Sequence, residues 1–149
     1  VDGAQQVLLD GENVTNLLRA EEVGNMASAS SVNPDVRKKL VELQQKLAAR
    51  ENVVMDGRDI GTFVLPNAEL KIYLTASVDT RADRRYKELV EKHMPADLEE
   101  IKRDIETRDY QDMHREIAPL TQAEDAYYLD SSALTIDEVV AEIIRRIPQ

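Results

Sequence analysis

The sequence predicts an α/β fold with a mainly parallel sheet, on three observations. Short apolar, β-rich runs occur at 53–55, 70–76 and 125–130. Helical patterns with recognisable caps lie before, between and after them. The 149 residues, 42% of them hydrophobic, suffice for one sizeable core, so a single compact unit is the default expectation.

Composition narrows the function classes. Cysteine is absent and there are two histidines, His93 and His114, so neither a disulfide framework nor a Cys- or His-rich metal centre is expected. The 19 basic and 29 acidic residues give a net charge of −10, which disfavours nucleic acid and anionic membranes as partners. Any anionic ligand must be held by local arginine clusters. No apolar run approaches the roughly 20 residues that span a bilayer and no signal-peptide pattern opens the chain, so a cytoplasmic location is the expectation.

Taken in order, Gln6-Val7-Leu8-Leu9, the Asp10-Gly11 turn and Glu12-Asn13-Val14 read as a small hairpin. A short helix is expected over Leu17 to Met26, then a small polar loop around residues 27–31. Asn33 caps the next helix and Pro34 takes its first position, while Val36, Leu40, Leu43 and Leu47 form a stripe that predicts burial. Arg37 sits in the first turn, where the helix dipole does not favour a cation. It is there either for a partner or as a solvated surface residue.

The stretch Val53-Val54-Met55-Asp56-Gly57-Arg58-Asp59-Ile60-Gly61-Thr62 organises the chain. An apolar run that fits a buried parallel strand turns abruptly into charge and glycine, and ligands of open α/β sheets bind beyond the carboxyl ends of strands. The plain alternative is an Asp-Gly turn with solvated charges. The run at 70–76 reads as the next strand, and Ser77 caps a helix to about Lys92 with Ala82, Tyr86, Leu89 and Val90 on its apolar side. Arg81, Arg84 and Arg85 share another face, which is either a phosphate clamp or a solvated charge run. Lys92-His93-Met94-Pro95-Ala96 breaks the pattern like a hinge or lid tip.

Asp97 caps the following helix, where Ile101 and Ile105 set the buried stripe. Arg108, Asp112 and Arg115 continue that face in steps of three and four. Charges on an inward face must pair, meet a ligand or emerge into a cleft, because burying one unpaired costs several kcal/mol. An aspartate between arginines suits a sugar hydroxyl and a phosphate; the alternative is a surface ion-pair ladder. Ala118-Pro119-Leu120 ends the helix, 125–130 reads as a third strand, and Thr135-Ile136-Asp137-Glu138 is a capping box before the apolar positions Val139, Val140, Ile143, Ile144 and Ile147.

Together, Val54-Met55-Asp56-Gly57-Arg58-Asp59-Ile60-Gly61-Thr62, Glu69 through Ser77, Arg108-Asp109-Tyr110-Gln111-Asp112 and Arg115-Glu116-Ile117-Ala118-Pro119-Leu120 closely resemble bacterial cytidylate kinases. The resemblance covers essentially the whole chain. It implies a P-loop NTPase-like three-layer sandwich and transfer of the ATP γ-phosphoryl group to CMP or dCMP with Mg²⁺. It also implies that residues 1–30 are the C-terminal part of the nucleotide-monophosphate-binding insertion, and 31–149 a kinase core with a lid at about 81–95. By position, Ser28, Arg37 and Asp59 fall at the cytosine, Arg58 and Arg115 at the CMP phosphate, and Arg108 and Asp112 at the sugar. Arg84 and Arg85, with Arg58, resemble arginines that act on the transferring phosphoryl group.

The family's donor-phosphate motif, G-x-x-x-x-G-K-[ST], does not occur in these residues. The expectation is therefore a chain without the P-loop strand, P-loop and first helix, without turnover by itself and with no assignable ATP- or Mg²⁺-binding residue. Unpaired strand edges make self-association a further expectation. A non-catalytic pyrimidine-nucleotide-binding module and a structural domain with arginine salt bridges are the alternative readings.

Overall fold

The computed structural model describes residues 6–18, 22–23, 26–27, 30 and 33–148. The chain divides into two compact units, Val1–Glu51 and Asn52–Gln149, rather than the single unit its length led one to expect.

In the first unit, β1 (Leu8–Leu9) and β2 (Glu12–Asn13) form an antiparallel hairpin with Leu8 opposite Asn13. Asp10 and Gly11 have φ of 51° and 88°, the pair of positive values that a tight two-residue hairpin turn requires. Helix α1 (Pro34–Ala48) starts as the sequence predicts, with the Asn33 side chain accepting from the amides of Asp35 and Val36. Its Val36, Leu40, Leu43 and Leu47 stripe is nevertheless exposed, contrary to the expected burial. The periodicity is genuine, but the described residues of this unit provide no apolar layer to cover it. The helix expected over Leu17 to Met26 lies partly outside the described residues.

The second unit opens with an irregular segment at 52–56 that joins no sheet, so the strand expected at 53–55 does not form and Val54 is fully exposed. A β-rich run becomes a strand only where a neighbour completes its ladder, and no described strand lies beside it. The apolar residues that follow form a π-helical turn, Ile60–Val64, closed by the Leu65 amide donating to the Ile60 carbonyl at 2.7 Å.

Strand β3 (Ile72–Thr75) pairs in parallel with β4 (Tyr127–Asp130), Ile72 opposite Tyr127 and Thr75 opposite Asp130. The crossover between them contains α2 (Val78–Glu91) and α3 (Leu98–His114), which pack together, and α4 (Ile136–Ile144) follows β4. Among the described residues the parallel sheet has two strands, β3 and β4, alternating with helices in sequence, which agrees with the α/β class expected. The caps fall where the sequence puts them: Ser77 accepts from Thr80, Asp97 from Glu100, and Thr135 and Glu138 close a reciprocal capping box.

The buried apolar residues described are Val64, Ala76, Ala82, Leu89 and Leu129. Of the apolar residues expected on α2, Ala82 and Leu89 are buried but Tyr86 and Val90 are exposed; on α4, Val140 and Ile144, with Ile147 just beyond, also stay exposed. The core is smaller than composition implied, because a two-stranded sheet has too little face to cover every amphipathic helix.

Candidate functional site

The polar segment at 56–59 is held against the start of the π-helical turn. Gly57 is needed there for close approach, since a Cβ would lie 2.9 Å from Ile60 Cγ1. The backbone then presents Arg58 outward, its side chain 48% exposed, and folds Asp59 inward to 9% exposure.

Arg58 Nε donates to Asp112 Oδ2 at 2.7 Å, joining residues 54 positions apart. Asp112 keeps only 19% side-chain exposure, and Arg115 Nη1 approaches its other oxygen at 3.9 Å. Arg115 caps α3; its Nε donates to Ala118 O at 2.6 Å, and the Leu120 amide returns to Asp112 O at 2.8 Å. Ala118 takes a φ of 50°, a left-handed conformation that reverses the chain beneath the arginine. The charged residues on the continuation of the α3 face therefore do not form only an intrahelical ladder. Asp112 meets Arg58 from the central stretch and Arg115 approaches the other oxygen of the same carboxylate, while Arg108 is exposed one turn earlier.

Beside this group, Arg81 Nη1 and Nη2 donate to the two oxygens of Asp109 at 2.8 and 2.5 Å, and Arg81 Nε donates to Ala76 O at 3.0 Å. The hydrogen bonds from Arg81 hold the Asp109 carboxyl below the usual aspartate range, opposed by burial and reinforced by Arg58 and Arg108 nearby. The same pair raises the Arg81 guanidinium. Sequence reading placed Arg81 on a possible clamp and passed over Asp109; the second carboxylate in Arg108-Asp109-Tyr110-Gln111-Asp112 was the available signal, but its partner is set by how α2 packs on α3.

Arg84 and Arg85 go elsewhere. Arg84 Nη2 donates to the carbonyls of Ser131 at 2.7 Å and Leu134 at 3.2 Å, while Arg85 Nη1 donates to Glu88 Oε2 at 2.8 Å. Glu88 is pulled down to about 2 by its hydrogen bonds from Lys92 and then Arg85. The three arginines of α2 thus point to three separate partners. Ser131, 5% exposed, is a buried polar anchor that sequence reading did not single out. A groove of about 590 Å³ between β4 and α4 is lined by Tyr127, Leu129, Leu134, Ala141 and Arg145, none of them an expected site residue.

Arg37 lies in the first unit, in the first turn of α1 and partly buried. Ser28 lies outside the described residues. Among the described residues no three His, Asp or Glu side chains come together to hold a metal, and no helix is long and apolar enough to cross a membrane.

An arginine group that brackets one carboxylate beside a glycine-permitted turn is chemistry suited to a phosphorylated, hydroxyl-bearing ligand. Comparison with known proteins identifies the family. The profile of the cytidylate kinase family matches residues 2–149, and the chain belongs to that family. Membership implies a P-loop NTPase-like α/β fold, with which the helices and the small parallel sheet agree. The chain is 55% identical over 141 residues to the cytidylate kinases of Streptococcus pneumoniae strain Hungary19A-6, strain G54 of serotype 19F, and strain D39 of serotype 2. In each case 95% of this chain and 63% of the relative is covered, so the chain spans somewhat under two thirds of the relatives it matches.

Proposed function

We propose that the protein is a CMP/dCMP kinase, a transferase that moves the γ-phosphoryl group of ATP to the phosphate of CMP or dCMP, and that these residues carry its acceptor side. The observation that carries this reading is the family match over residues 2–149. The Arg58, Asp112 and Arg115 group supports it, because guanidinium forks can turn from a carboxylate to a phosphate dianion while the carboxylate takes a sugar hydroxyl.

In this reading Arg58 and Arg115 hold the CMP phosphate, and Arg108 and Asp112 address the sugar. Asp59 accepts from the cytosine exocyclic amine, with Ser28 and Arg37 assigned to the same base. Arg84 and Arg85 act on the transferring group, where cations stabilise charge spread over the phosphoryl oxygens. Residues 1–30 are assigned to the nucleotide-monophosphate-binding insertion, 31–149 to the core, and about 81–95 to the lid. MgATP is the donor substrate. Its phosphates need a G-x-x-x-x-G-K-[ST] loop, which these 149 residues do not contain, so no step at the donor is assigned to them.

The test is ATP-dependent phosphorylation of CMP by the whole protein as encoded, alongside a polypeptide of these 149 residues alone. CDP formation by the former within the roughly 1–100 s⁻¹ usual for kinases, and none above background by the latter, is the expected result. Failure of the whole protein to phosphorylate any pyrimidine monophosphate would remove the reading. The exposed apolar side chains of Val54, Phe63 and Leu74 support self-association of the 149-residue polypeptide, read by its sedimentation against concentration.

A further inference from the structure

We propose that Arg81 is a positioning residue for the acceptor site: by occupying both oxygens of Asp109, it prevents that carboxylate from drawing Arg58 and Arg108 away from the nucleotide. This inference rests on the acceptor-site reading above.

Two carboxylates, Asp109 and Asp112, stand three residues apart on α3 and take different arginines. Asp112 takes Arg58 through Nε at 2.7 Å, whereas both oxygens of Asp109 are filled by Arg81 at 2.8 and 2.5 Å. Asp109 is the sequence neighbour of Arg108 and stands three residues before Asp112, the carboxylate that Arg58 holds, on the same helix, so it lies about one turn from Arg58's own partner. The lowering of Asp109 by Arg58 and Arg108 agrees with that placement. Arg81 is itself fixed at a third point, its Nε on the Ala76 carbonyl at 3.0 Å where the chain leaves β3. A guanidinium held by three of its five donors has little freedom to let Asp109 go. Without Arg81, Asp109 becomes a partly buried carboxylate in need of a cation, and Arg58 and Arg108, which already act on it, are the two that the proposed ligand requires.

The consequence differs from that of a simple brace. If Arg81 only ties α2 to α3, removing either partner does similar harm and removing both is no better. If it neutralises a competitor, removing the competitor as well should restore the site. Four forms of the whole protein decide between these: wild type, Arg81→Gln, Asp109→Asn and the double variant, each assayed for KM of CMP, KM of ATP and thermal unfolding.

The expected result is an Arg81→Gln variant with KM for CMP raised about tenfold, the scale of one charge-assisted interaction, and KM for ATP unchanged. Asp109→Asn should change KM for CMP by less, and the double variant should return it most of the way to wild type. Arg81→Lys, which keeps the charge but loses the fork, should fall between wild type and Arg81→Gln, and serves where the glutamine variant does not fold. A CMP defect that Asp109→Asn fails to relieve, or equal losses for CMP and ATP with a lowered unfolding midpoint, overturns the inference while leaving the acceptor-site reading intact. Wild-type protein that neither binds nor phosphorylates CMP overturns both.

Discussion

Two arginine groups of the second unit use the same residue types and reach opposite ends. At the end of α4, Arg145 and Arg146 both pair with Glu142, Arg146 Nη1 at 2.5 Å from its Oε1, and Arg146 lies 3.6 Å over the Tyr127 ring. Apart from that ring contact, the partners are three and four residues away on one helix. At the end of α3, Arg58 reaches Asp112 across 54 residues and Arg81 reaches Asp109 across 28. A local pair forms in almost any environment that keeps the helix, so it says little about function. A long-range pair needs two elements ordered against one another, and the entropy of that ordering has to be met by the rest of the fold. The difference teaches where a ligand could profit: an arginine already positioned by distant structure costs less to immobilise on a phosphate.

The sharpest way to break this comparison is at Arg58. Arg58→Ala or Arg115→Ala in the whole protein should lower kcat/KM by about ten- to a hundredfold, from about 1.5–3 kcal/mol for a charge-assisted hydrogen bond. The loss should be equal for CMP and UMP, because a phosphate carries no base information; a base-dependent loss would break the role given to these arginines. Next in size is Asp59. Its replacement by Asn should narrow the preference for CMP over UMP by about one to two orders of magnitude, mainly by weakening CMP, on a cost of about 1–3 kcal/mol for a mismatched polar contact. Competition kinetics with the two nucleotides read this directly, and unchanged selectivity would remove Asp59 from base recognition.

Smaller effects belong to the local pairs. Glu88 titrates near 2 in the folded chain against 4.5 ordinarily, so its pairs stabilise fully above pH 4.5 and lose that contribution as pH falls toward 2. Acid unfolding of Glu88→Gln should therefore show a shallower decline than wild type within that window, and no difference between pH 6 and 8. High salt should shrink the effect, since these side chains are exposed. Smallest of all is Arg145→Gln, expected to leave kcat/KM for CMP and ATP unaltered and the unfolding midpoint nearly so. A marked CMP defect there would erase the distinction between the two groups.

Much of the candidate site was legible as a set of residues that break a local pattern. Arg108, Asp112 and Arg115 sit where α3 should continue an apolar stripe, and Arg58 and Asp59 interrupt an apolar run with glycines on either side. Asp109 was not legible, since it stands beside Arg108 on a face with no pattern to violate. Arg84 and Arg85 were read as one charged face because helical spacing puts them together, yet one is held by the carbonyls of Ser131 and Leu134 and the other by Glu88.

Helix starts and the Asp10-Gly11 turn were determined by sequence alone, because each depends on atoms within four residues: Asn33, Ser77, Asp97 and Thr135 satisfy amides of their own first turns wherever those helices go. Helix ends were not, since α3 stops at His114, before the expected stop at Ala118-Pro119-Leu120, and α4 at Ile144. Which apolar residues are buried, and which arginine meets which carboxylate, was decided only by tertiary structure. The run at 53–55 has the composition of a strand and stays unpaired, while Lys71, in a segment of similar composition, is reduced to 7% side-chain exposure by the Asp125 carboxylate and the Pro66 carbonyl. Side-chain chemistry is intrinsic to the chain, but a ladder partner or a distant counter-ion exists only once another segment has been brought alongside.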